Sequence, residues 1–220
     1  MRRRLAAGAA ALLLSAQYFA AEAIAAAAWT RPYSYSRNYI SDLGVTRCIP
    51  TGPCSPLGAV MNTGFVMSGV LAIAAAALLL PLVPQRAGKR APILILAVVH
   101  GIGSIGVGLV SSAPGTAAGT PHIHVLAAYA AIVGGNLAVI AAALWLPRAV
   151  ASRWFRAVSL ALGLVGLGSG LALVLTRGLP PGLLERGAVD TITLWQILAG
   201  ACLAASLLRR SAAIHDRLAA

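Results

Sequence analysis

The sequence predicts an all-α, polytopic membrane protein: a bundle of six transmembrane helices. Three observations carry that expectation. Of 220 residues, 59% are hydrophobic and only 10% are charged, against about 25% charge in soluble domains. Apolar runs recur six times, each long enough to cross a hydrocarbon core of about 30 Å at about 1.5 Å per residue. The stretches between them are short and rich in proline, glycine and arginine, which interrupt helices and mark interfaces. A net charge of +12 would suit a nucleic-acid partner. Here the basic residues are dispersed over short connections, so they read as topology signals. The expected partner is the lipid bilayer, with a lipid or small-molecule ligand, and not nucleic acid.

Met1 to Arg4 is a basic cap, and Leu5 to Trp29 forms the first span, apolar except for Gln17 and Glu22. Three arginines before an alanine-rich run also resemble a signal peptide; the length of the run and the lack of a cleavage site after a short core favour a retained helix. Residues 30–56 form a long external loop centred on Asn38-Tyr-Ile-Ser-Asp-Leu-Gly44. The second span, Leu57 to Val83, ends at Pro81 and Pro84, which remove donors and block continuation. Pro92 opens the third, Ile93 to Ser112, at a position where a missing N–H costs nothing. An uncharged turn-forming linker, 113–120, leads into the fourth, Pro121 to Leu146, closed by Trp145 and Pro147. The fifth runs from Trp154 to Thr176. Residues 177–190 read as a second polar connection, with a short amphipathic turn from Leu183 to Val189 at the surface. The sixth span is Thr191 to Leu208, before a basic tail. Residues 1–220 are expected to form one domain.

Six spans place both termini on one face. Twelve basic residues fall on that face and five on the other, so the positive-inside rule predicts cytoplasmic termini in a multi-pass cell-membrane protein. Cys48 and Cys54 then lie outside, where an oxidising compartment permits the disulfide expected between them. A two-cysteine metal site is the rival reading. Cys202 lies within the sixth span and reads as a small packing residue. Gly166 with Gly170, Ser104 with Gly108, and Gly134 with Gly135 are small-residue sites where helix backbones can approach closely.

Polar groups at membrane depth require a reason. His100 lies well inside the third span with Ser104 and Ser111 on its helical face, Asn136 is deep in the fourth, and Asn62 is shallow in the second. Two readings stand: an interhelical hydrogen-bond network, or the lining of a cavity for a ligand or lipid headgroup. Acids concentrate on the external side as Glu22, Asp42, Glu185 and Asp190. With His122, His124 or His100 they supply ligand types suited to zinc, but no His-x-x-x-His or His-Glu-x-x-His pair occurs and no metal is expected. Ser41, His124 and Asp42 contain the residue types of a nucleophilic set, without a Gly-x-Ser-x-Gly elbow.

Several segments together carry a family resemblance. Asn38 to Gly44 followed by Cys54-Ser-Pro-Leu57 and Met61-Asn62, His100 with the glycine-rich run to Gly108, Pro121-His-Ile-His124 with Gly135-Asn-Leu-Ala138, and Gly182-Leu-Leu-Glu-Arg186 with Trp195 resemble the bacterial and archaeal membrane family known as domain of unknown function nine-nine-eight. Nearly the whole chain is covered. The Ile-Ser-Asp-Leu-Gly element is more distantly similar to the eukaryotic Frag, DRAM and Sfk type six-helix proteins, some of which act in lipid or glycolipid handling. The resemblance implies a six-helix membrane protein without an established activity. It singles out Asn38, Ser41, Asp42, His100, His124, Asn136, Glu185 and Arg186. The 113–120 linker departs from it by lacking a Phe-Pro turn.

Two functions follow as expectations. In the first, the external mouth binds a lipid headgroup or small polar ligand through Arg37, Asn38, Ser41, Asp42 and Arg186, the arginines serving as anion partners. In the alternative, the protein is a lipid- or isoprenoid-modifying enzyme in which Asp42 or Glu185 works with His124 as acid and base, with His100 a further catalytic candidate. Transport is a third possibility, without the broken-helix pairs or inverted repeat it would show. Asp42 is expected to be held by a charge-assisted partner across the mouth, Arg186 or His124.

Overall fold

The computed structural model describes residues 1–46, 54–84, 88–110 and 120–219, with side chains through 212. Six helical segments are long and apolar enough to cross a membrane. The first is divided into α1 (Arg2–Leu14) and α2 (Gln17–Ala27). At the junction the N–H groups of Ser15 and Ala16 reach back three residues, to Leu12 and Leu13, at 3.3 and 3.1 Å. The buried Ser15 hydroxyl also donates to the Ala11 carbonyl at 3.4 Å, a back-bond that bends helices. The remaining spans are α3 (Gly58–Leu79, extended by a 3-10 turn over Leu80–Leu82), α4 (Arg90–Leu109), α5 (Thr120–Trp145), α6 (Arg153–Leu175) and α7 (Pro181–Ala219).

These helices form a ring. The α1–α2 span packs on α3, α3 on α4, α4 on α5, α5 on α6 and α6 on α7, and α7 closes on α1; α5 also touches α7. Apolar side chains face outward all round, Ile102, Leu126 and Leu171 among them, as a lipid-facing surface requires. With no hydrophobic drive between helices in lipid, adhesion comes from close packing and hydrogen bonds. A Cβ on Gly103 of α4 would collide with the backbone of Ala127 and Ala131 in α5, and one on Gly69 of α3 with the Gly101 carbonyl of α4. Ser104 donates to the Phe65 carbonyl at 2.8 Å and joins α4 to α3. Asn136, fully buried, donates to the Ala188 carbonyl at 2.8 Å and accepts from the Thr191 hydroxyl at 3.3 Å, joining α5 to α7. Trp195 donates to Ser159 at 2.8 Å and joins α7 to α6.

Both termini lie at one face, where the Arg2 guanidinium donates to Ser211. Arginines of this terminal face satisfy carbonyls left over at helix ends. Arg4 donates to Ala77 and Leu78 at 2.6 and 3.0 Å, and Arg156 to Leu146 and Leu144 at 2.5 and 3.2 Å. A cation at a helix C-terminus both completes the hydrogen bonds and meets the negative end of the dipole.

The largest departure from the expected boundaries is at the last helix. The last helix begins at Pro181 rather than Thr191, so the surface turn expected from Leu183 to Val189 is the first part of α7. Pro181 suits a first helical position, and Gly178, with φ +97°, makes the preceding turn. The charges of Glu185, Arg186 and Asp190, which suggested a solvated connection, point into the bundle instead. Cys48, the expected end of the third span at Ser111 and Ser112, and linker residues 113–119 lie outside the described residues.

Candidate functional site

The start of α7 docks the polar loop, and it does so by matching backbone polarity. Residues 31–46 fold onto the mouth opposite the termini, with Ile40, Leu43 and Val45 buried at 1%, 0% and 2% exposure. Burying this loop removes backbone donors and acceptors from water, so each needs a partner. Two adjacent side chains of α7 serve opposite ends of it. Glu185 accepts from the Ile40 N–H and also faces that of Ser41, the unpaired donors at the start of the 3-10 turn Ser41–Gly44. Arg186 donates through one terminal nitrogen to the carbonyls of Tyr35, Asn38 and Gly182 at 2.6, 3.1 and 3.1 Å. Leu183 adds a backbone bond to the Ser36 carbonyl at 3.0 Å.

The rest of the Arg186 guanidinium is spent on α2. Nε and Nη2 both reach Glu22 Oε1, at 2.9 and 2.6 Å, and Nη2 also donates to the Tyr33 hydroxyl at 2.6 Å. Its central carbon Cζ lies 4.8 Å from the Tyr35 ring centroid and 5.5 Å from that of Tyr33, within cation–π range. The Tyr33 hydroxyl itself donates to the Tyr39 carbonyl at 3.0 Å. Burial pushes the Tyr33 hydroxyl up to about 12, although the neighbouring arginine works the other way. Glu22 and Arg186 are 5% and 9% exposed. Removing one partner of such a pair leaves a buried uncompensated charge, at a cost of about 3–5 kcal/mol.

This geometry corrects two expectations. Arg186 has five N–H donors, and all are occupied by Glu22, Tyr33 and three carbonyls, so it holds the fold and has no donor for an external anion. Asp42 is not paired with it. Asp42 accepts the Tyr39 N–H at 3.1 Å, a reach-back contact like one half of a capping box. Its carboxyl is held above the ordinary range by burial, against the opposing effects of the Tyr39 N–H and the charge of His124. Burial likewise raises the Tyr39 hydroxyl, with Glu185 and Asp42 adding to it.

The other expected site residues divide. Arg37 is exposed. Asn38 turns inward on its own loop, its Oδ1 accepting from the Ser34 N–H at 2.9 Å. His124 is buried, with Nδ1 at 2.6 Å from the Val110 carbonyl, and His122 is exposed. Among the described residues no three His, Cys, Asp or Glu side chains gather as metal ligands; His100 and His124 are each turned to a backbone carbonyl. Ser41, His100 and Glu185, by contrast, line one internal chamber, where Asp42 and His124 have no part.

That chamber, of about 50 Å³, lies inside the ring and is shared by Tyr18, Ser68, Ser104, Thr193 and Gln196. It adjoins a larger cavity of about 690 Å³ that extends to the terminal face, walled by residues such as Leu12, Ala75, Ala138, Ala142 and Phe155, with Arg209 and Arg210 at its mouth. His100, Ile192 and Gln196 border both spaces. Sequence reasoning missed Glu22 as the partner of Arg186, and Tyr18 and Gln196 as cavity residues. A signal existed for the first: a carboxylate within a span demands a cation, and arginines are few on that side of the chain.

A family model described as "Protein of unknown function (DUF998)" matches residues 8–202. No curated protein and no solved structure matches the chain.

Proposed function

The chain belongs to this family of proteins of unknown function, and from that premise we propose that it is a membrane protein that binds the hydrocarbon chain of a membrane amphiphile within its helix ring. The observation that carries the reading is the cavity of about 690 Å³ on the terminal side. Its size falls in the range of small-molecule sites, about 300–1,000 Å³. Its walls are mainly alanine, leucine, valine and isoleucine, and only a few polar groups sit at its two ends. Water gains little in such a lining, whereas an alkyl or isoprenoid chain removes apolar surface on both partners. Headgroup recognition on the loop face has less behind it, because the protein's own loop covers that mouth and the Arg186 donors are already engaged.

Trp195 borders the cavity and supplies the assay. In a variant retaining Trp195 alone, with Trp29, Trp145 and Trp154 replaced by Phe, bromoundecane should quench fluorescence saturably. Filling the space with Ala142→Phe should abolish the saturable part. Quenching that rises linearly with bromide and is equal in both proteins would overturn the reading.

On the loop face we propose that Cys48 and Cys54 close a disulfide across the five residues between them, restraining the connection into α3. Peptide mapping without reduction should recover the two halves as one species; recovery of both as free thiols would rule the bridge out.

A further inference from the structure

The small chamber above the apolar cavity contains polar groups that the fold leaves unpaired. Tyr18 is 1% exposed, lines the chamber, and its hydroxyl has no hydrogen-bond partner. A buried hydroxyl without a partner is costly, and Tyr18 lies in the core of the loop-side half with Phe65 and Met61 against it. His100 presents the complementary deficit. Its Nδ1 lies 2.8 Å from the Ala131 carbonyl, which can only accept, so the proton sits on Nδ1. Nε2 of the neutral ring is then an acceptor, and it has no protein donor among the described residues. Tyr18 and His100 thus stand in the lining of one chamber, the first with a hydrogen left to donate and the second with a lone pair. Thr193 and Gln196 add further polar lining.

We infer that this chamber receives the hydroxyl end of a long-chain alcohol whose chain lies in the apolar cavity below. A hydroxyl is the smallest group that donates and accepts at once, and so answers both Tyr18 and His100. The volume of about 50 Å³ admits a few water-sized groups and is too small for a phosphodiester headgroup. The shared border of His100, Ile192 and Gln196 makes the two spaces one path, polar at its closed end and apolar along its length. Bound this way, the ligand lies with its hydroxyl toward the loop face. The inference rests on the chain-binding reading above and adds the class of ligand and its direction.

The test uses the same Trp195-only protein, with bound bromoundecane displaced by unlabelled undecanol or undecane, both expressed as mole fraction in detergent. Undecanol should displace at about tenfold lower mole fraction than undecane, the worth of one or two net hydrogen bonds. Tyr18→Phe, which removes only the oxygen, should erase most of that advantage and leave displacement by undecane unchanged. Equal displacement by the two compounds in the parent protein means that the chamber holds water alone, and overturns the inference while the chain-binding reading stands. An undiminished preference for undecanol in Tyr18→Phe also overturns it. If bromoundecane does not quench saturably, both readings fall. Should Tyr18→Phe not fold, the comparison of undecanol with undecane in the parent protein decides.

Discussion

At the scale of single residues, the molecule depends on how Glu22 and Arg186 satisfy each other. Both charges are buried, and the guanidinium also gathers carbonyls of a loop that would otherwise be unpaired. Glu22→Gln keeps the shape but leaves Arg186 without its counter-charge, so thermal unfolding in detergent should show a loss of about 3–5 kcal/mol. Arg186→Lys should be nearly as damaging, since one ammonium cannot replace a planar set of five donors. Asp42 behaves differently. Its carboxyl is raised in the docked loop, mainly by burial, so the docked state holds the proton more tightly than the free chain. Its contribution is fully present below the ordinary carboxylate range and is lost as pH rises through the raised value. Protection factors of the Leu43 and Val45 amides, with the intrinsic rise of exchange with pH divided out, should therefore fall over that range. Asp42→Asn, whose carboxamide oxygen still accepts from Tyr39, should keep protection and lose the pH response; an unchanged pH response would show that another group is responsible.

Elements show which signals the sequence states locally and which it does not. Spans two to five were legible because apolar length and terminal prolines are properties of consecutive residues. The beginning of α7 was not, because Glu185, Arg186 and Asp190 look like a solvated connection until their partners are known, and Glu22 lies 164 residues from Arg186. Likewise His100 and Asn136 were recognisable as polar groups needing partners, but the Ala131 and Ala188 carbonyls that accept from them are backbone groups without a residue-type signature. The small residues of α6 allow a direct test of packing against propensity. A Cβ on Gly166 would overlap the Asn136 side chain, whereas one on Gly168 meets nothing within 4 Å. Gly168→Ala should stabilise by about 0.5–1 kcal/mol through helix propensity. Gly166→Ala should destabilise by more than that gain, since it displaces a fully buried amide. Equal melting shifts for the two would mean that Asn136 is free to move.

For the molecule as a whole, the ring gives its two faces different work, and charge predicts their orientation in the membrane. The loop face is closed by residues 31–46 and carries Glu22, Asp42, Glu185 and Asp190, while the terminal face is open to the cavity and bordered by arginines. Some of those arginines cap helix ends, as Arg4 and Arg156 do, yet they still contribute to the charge bias that sets topology. The sequence assigns twelve basic residues to the terminal side and five to the other, which predicts a cytoplasmic terminal face. The cavity would then open toward the inner leaflet, and a chain alcohol would enter from that side with its hydroxyl leading. Single cysteines on a Cys-free background report this directly. Val150 lies in the exposed connection between α5 and α6 on the terminal side, and Leu179 in the exposed turn between α6 and α7 on the loop side. In intact cells an impermeant maleimide should label Leu179→Cys and spare Val150→Cys until the membrane is opened. Labelling with the opposite preference would invert the orientation, and the cavity would then face outward.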